Sequence, residues 1–114
     1  MKIVKKDNQV RINTETCGRL LEVLNDNSVP VSIILAKNLK PTVAHFHNRS
    51  TEIYWVLEGN LQVEINESNE INLESDDLLV VEPSEVHRVI SSSSKNKIVV
   101  LNSPAWEKED EFIK

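Results

Sequence analysis

No stretch of this chain sustains a helical period. Short runs rich in Val, Ile and Leu are instead broken by polar clusters every eight to twelve residues. That is the pattern of an all-β sandwich or barrel. Strands are expected over Arg19–Leu24, Val31–Ala36, Val43–His47, Glu52–Leu57, Leu61–Ile65, Glu70–Leu73, Asp77–Val81, His87–Ile90 and Ile98–Leu101. The breaks include Asn25-Asp26-Asn27-Ser28, Glu58-Gly59-Asn60, Glu82-Pro83-Ser84 and the serine run 91–94, read as a flexible loop. Gly59-Asn60 sits between two alternating strands and predicts a two-residue hairpin, with Gly59 at positive φ. The acidic tail PAWEKEDEFIK is compatible with a short helical turn or an extended flap.

At 114 residues the chain forms one domain, covering residues 1–114. The formal net charge is −5, from 18 acidic and 13 basic residues, and no basic run exceeds Lys5-Lys6. Both facts argue against a nucleic-acid partner. The longest apolar run, Leu78-Leu79-Val80-Val81, is too short to span a bilayer, and MKIVKKDNQV lacks the apolar core of a signal peptide. The expectation is therefore a cytoplasmic protein with no membrane partner. Cys17 is the only cysteine and makes no internal disulfide. A small, half-buried side chain is the plain reading of it, with a reactive thiol as the alternative.

The chain has three histidines and two glycines, and two of the former and one of the latter fall within AHFHNRSTEIYWVLEG, residues 44–59. Side chains at i and i+2 of a strand share a face, so His45 and His47 present two imidazoles side by side. Glu52 opens the next strand, and Tyr54 and Val56 share its face. Leu61, Val63 and Ile65 alternate with Gln62, Glu64 and Asn66, which places the interior on the face of Leu61 and, across the turn, of Glu52. A carboxylate aimed at an apolar interior is expensive unless paired or coordinated. Two imidazoles and a carboxylate converging there suit a borderline divalent cation. The paired histidines alone fit equally well with two hydrogen-bonded residues at a barrel mouth.

The spacing His45, His47, Glu52, Gly59 resembles the first motif of the cupin family. The segment DDLLVVEPSEVHRVIS, residues 76–91, resembles the second, with Asp77 at its acidic position and His87 at its histidine. Leu39, Asp76, Ser84 and Ser91 depart from the family pattern. The first three stand where glycines are usual, and Ser91 replaces an asparagine. The resemblance spans about residues 30–106, leaving N-terminal strands in 1–29 and an acidic tail in 104–114. It implies a double-stranded β-helix, the jelly-roll cupin barrel. It also implies one divalent metal ion (Fe, Zn, Mn or Ni) on His45, His47, Glu52 and His87.

Three imidazoles and one carboxylate leave an octahedral cation two open positions. With Fe the resemblance points to a dioxygenase, and with Zn, Mn or Ni to an isomerase or lyase. The substrate expected is a small polar metabolite. A non-catalytic module that binds a sugar or acid through its metal is the alternative. With all three histidines engaged, a proton carrier must be Glu52, Tyr54, Cys17 or metal-bound hydroxide. Glu52 and Tyr54 are the expected catalytic pair, although Tyr54 also reads as an inward aromatic filling the barrel. Arg19 would clamp an anionic substrate if it faced inward; a surface arginine is the commoner case. Trp106 is read as packing outside the barrel, with a lid at the mouth as the alternative. Ile53, Trp55 and Leu57 lie on the face opposite Glu52. Three large apolar groups there call for a second strand layer or a second subunit, and a homodimer is expected.

Overall fold

A computed structural model describes residues 1–114. Eleven strands form: β1 (Val10–Thr14), β2 (Gly18–Leu24), β3 (Ser32–Lys37), β4 (His45–Phe46), β5 (Thr51–Glu58), β6 (Leu61–Ile65), β7 (Asn69–Leu73), β8 (Leu78–Val81), β9 (His87–Ser92), β10 (Lys97–Ser103) and β11 (Phe112–Ile113). They make two antiparallel sheets, ordered β1-β2-β3-β10-β5-β8 and β11-β4-β9-β6-β7. No helix is long and apolar enough to cross a membrane.

Nine of the strands answer those expected from the sequence, with ends shifted by a few residues. β1 falls within the N-terminal strands expected in 1–29 and β11 within the tail, although the sequence sets bounds for neither. Each is an edge strand in its sheet. β1 carries three exposed and two half-buried residues and β11 only exposed ones, so neither bears a full apolar signature. β1 and β2 extend the same sheet as β3.

The alternation on β5 and β6 has the predicted consequence. Glu52, Tyr54, Val56, Leu61, Val63 and Ile65 are all buried. Ala36, Val56 and Ile98 of one sheet and Val63 and Val89 of the other are fully excluded from solvent, in a single core. Each buried Val or Ile contributes about 1.5–3 kcal/mol over leaving it exposed, and this clamps the two sheets together.

The predicted hairpin at Gly59-Asn60 is not a hairpin. Gly59 does take positive φ, +83°. However, β5 pairs with β8 and β10, whereas β6 pairs with β7 and β9. The turn passes the chain from one sheet to the other. Two short segments of alternating residues look alike whether or not they bond to each other, because alternation reports a shared interior and not a shared ladder.

On the outer face of the six-stranded sheet, Leu35, Val99, Trp55 and Leu78 stand in one register row, and Ile33, Leu101, Ile53 and Val80 in the next. Trp55, Leu78 and Val80 remain 45%, 53% and 49% exposed. No further layer of this chain covers them.

Candidate metal centre

β4 places His45 inward, and His47 follows just past its end. Glu52 is the second residue of β5, and His87 is the first of β9. In the antiparallel pairing of β4 with β9, His45 and His87 are direct partners, and their ring centroids lie 4.3 Å apart. One ligand atom from each of His45, His47, Glu52 and His87 lies within 4.8 Å of the others, and all four residues are buried. This group could hold a metal ion.

Each ring is oriented through Nδ1 against a backbone carbonyl. His45 meets Val43 O at 2.6 Å, His87 meets Glu85 O at 2.9 Å, and His47 meets Asp110 O at 3.0 Å. A carbonyl only accepts, so each Nδ1 carries the hydrogen and each Nε2 presents a lone pair. Glu52 Oε2 lies 2.7 Å from His47 Nε2 and 3.3 Å from His87 Nε2. Yet these three atoms are buried with no hydrogen bond. Lone pairs thus face lone pairs, an arrangement stable only with positive charge between them. A proton or a divalent cation supplies it, and the donor set of three imidazole nitrogens and one carboxylate oxygen suits the cation.

The proton affinities follow from the same contacts. Burial opposes the charge on Glu52, but His47 and His87 outweigh it and hold the carboxyl well below the usual range. Burial likewise opposes protonation of His47, and Glu52 overrides it, so His47 is raised. His45 is lowered by burial, and then by the neighbouring His87. Burial, followed by the Glu52 charge, pushes the Tyr54 phenol well above its ordinary value.

A small cavity reaches the group at Glu52, and its lining also includes Tyr54, Cys17, Asn102, Trp106 and Glu111. Cys17 lies against Thr16, whose hydroxyl donates to its sulfur at 3.4 Å. Burial pushes the thiol up to about 12, so it is neither a nucleophile nor a base near neutrality and the plain reading holds. Arg19 is exposed and lines a groove of about 530 Å³ outside β1 to β3, with Arg11 and Lys37. An inward anion clamp is therefore excluded. Trp106 faces the cavity, contrary to the expected packing on the outside, because its indole Nε1–H donates to Glu111 Oε1 at 3.2 Å.

The family model described as the cupin domain matches residues 33–103. The chain belongs to the cupin family. Its fold is shared by solved structures over nearly all of its length. A protein from Planctomyces limnophilus is 20% identical, with TM-score 0.83 over 99% of this chain and 96% of that one. The Streptomyces nucleoside dehydratase PAC13 is 20% identical, with TM-score 0.77 over 100% and 94%. Ectoine synthase from P. lautus is 14% identical, with TM-score 0.76 over 100% and 90%. At such identities the likeness is one of fold. The sequence matches no curated protein.

The departures from the cupin motifs are absorbed locally. Asp76 and Ser84, which replace glycines, keep the left-handed backbone, with φ of +77° and +71°. Ser84 N–H donates to His47 O at 2.6 Å, so this turn is bound to the candidate centre just past the end of β4. Leu39 has become a core residue, 8% exposed. What sequence reasoning missed lies outside both motifs: Asp110 and Glu111 of the tail, which no spacing signal connects to the histidines.

Proposed function

We propose that this cupin binds one divalent cation through His45, His47, Glu52 and His87 and acts on a small polar molecule by a non-redox reaction of lyase or isomerase type. The observation that carries the reading is the set of buried Nε2 and Oε2 atoms facing one another without hydrogen bonds, beside a cavity that holds a phenol. When bound, the cation supplies Lewis-acid polarisation of a substrate oxygen. Glu52, ionised across the neutral range, is better suited to ligation than to taking a proton. Tyr54 keeps its proton and is the group able to donate it to a departing or shifting oxygen. The enzyme reading is further supported by the similar folds of a nucleoside dehydratase and of ectoine synthase.

The test begins with metal content. Protein purified without added metal is analysed by elemental mass spectrometry beside His47→Ala, which should lose nearly all bound Fe, Zn, Mn or Ni. Unchanged stoichiometry would defeat the site. The loaded protein is then incubated with hydroxylated small metabolites and followed by mass for loss of water or isomer change, with Tyr54→Phe as the control. Oxygen consumption by the Fe-loaded form would point instead to a dioxygenase. Tight ligand retention without turnover would point to a binding module.

The exposed apolar rows around Trp55 support a homodimer formed through the outer face of the six-stranded sheet. Two copies would bury there the side chains of Ile53, Trp55, Leu78 and Val80, which the single chain leaves partly or largely open.

A further inference from the structure

The C-terminal segment is built into the candidate centre. Phe112 and Ile113 pair with Phe46 and His45, and the two phenylalanine rings stack at 5.3 Å. The buried carboxylate of Asp110 accepts the backbone N–H groups of Asn48, Arg49 and Ser50 at 3.0–3.1 Å. This fixes the turn between β4 and β5, while the Asp110 carbonyl orients His47. Upstream, Trp106 N–H donates to Ser32 Oγ at 2.9 Å, and Trp106 O accepts from Asn25 Nδ2 at 3.0 Å. The strap is thus anchored on both sides of the residue that follows Asp110.

That residue, Glu111, has a side chain only 12% exposed. Its Oε1 accepts the Trp106 indole N–H and lies 3.9 Å from His45 Nε2, the nitrogen that bears the lone pair. No lysine or arginine pairs with it, and none lines the cavity it shares with Glu52. One neutral donor is weak compensation for a largely buried carboxylate. Donors about 2.1 Å from one octahedral ion stand roughly 3 to 4 Å apart, so Glu111 is within reach of an ion held on His45.

We propose that Glu111 is a fifth member of the metal-binding set, delivered by the C-terminal strap. The inference rests on the four-residue reading above. With Glu52 it brings two carboxylates, enough to neutralise a divalent charge. A second oxygen donor favours a harder cation such as Mn²⁺ over Ni²⁺.

The full chain, stripped with chelator, is titrated with Mn²⁺ and with Ni²⁺, following free Mn²⁺ by its paramagnetic resonance and Ni²⁺ by competition. Glu111→Gln keeps an acceptor for Trp106. It should weaken Mn²⁺ binding about tenfold or more and Ni²⁺ binding less, while the metal-free melting temperature stays within about 2 °C of wild type. Unchanged Mn²⁺ affinity overturns the proposal. So does a crystal structure of the Mn²⁺-loaded wild type with Glu111 beyond coordinating distance of the ion, a measurement that needs no variant to fold. His47→Ala separates the two readings. If it still binds metal, the four-residue site itself is wrong; if it loses metal while Glu111→Gln is unaffected, only the fifth member is lost.

Discussion

A buried ionisable side chain reveals its role by the state in which its surroundings hold it. Glu52 is kept charged by two imidazoles, whereas Cys17 is kept neutral by burial. The thiol has a measurable consequence. Unfolded, it titrates near 9.0, and in the native state only at about 12. Between those values the native state retains a proton that the unfolded chain has released, so stability falls as pH rises through that window and is unaffected below it. Cys17→Ala should flatten this fall by up to about 1.4 kcal/mol per pH unit. Urea midpoints for both proteins at about pH 8, 9 and 10 check it, and parallel curves would show that the thiol titrates normally.

Among the connecting elements, the turns hold the strands that carry the centre, and their backbones demand different residues. At Gly59, φ is +83° and a Cβ would stand 2.4 Å from both Lys95 O and Ser93 Oγ. Gly18 has φ of +74° with nothing within 4 Å. Gly18→Ala should therefore lose only the left-handed penalty of about 1–2 kcal/mol. Gly59→Ala should lose clearly more, since the Lys95 carbonyl is backbone and cannot swing aside. At Ser84 the argument reverses. A non-glycine residue already holds φ of +71°, so Ser84→Gly should gain about 0.5–1 kcal/mol, the left-handed penalty less the extra freedom of an unfolded glycine. Chemical denaturation of the three variants gives the order; equal losses for the two glycine variants would contradict the steric account.

For the molecule as a whole, the proposed dimer would place its interface on the outer sheet face. The apolar rows through Trp55 are open in a single chain, and patches of this kind mark contact surfaces. Light scattering should give about twice the 13.0 kDa chain mass. Trp55→Glu should give the monomer with its strand circular dichroism intact, because that side chain is already 45% exposed and removing it opens no cavity in the core. A wild-type mass of one chain at micromolar concentration would end the dimer reading.

Residues related by local period were legible without coordinates. His45 and His47 share a face because same-side positions on any strand lie two apart, and the inward set from Glu52 to Ile65 follows from the same rule. His87 was legible only through the resemblance to the cupin motifs; its direct pairing with His45 depends on how β4 and β9 align. Glu111, Asp110 and the sheet change at Gly59 were not legible at all. The sequence by itself determined which side chains point inward, since alternation is a property of the extended backbone. Tertiary structure alone decided which of them meet, because ladder register and the path of the C-terminal strap are set by contacts between residues as far apart as 81 positions, and nothing in the local chain encodes them.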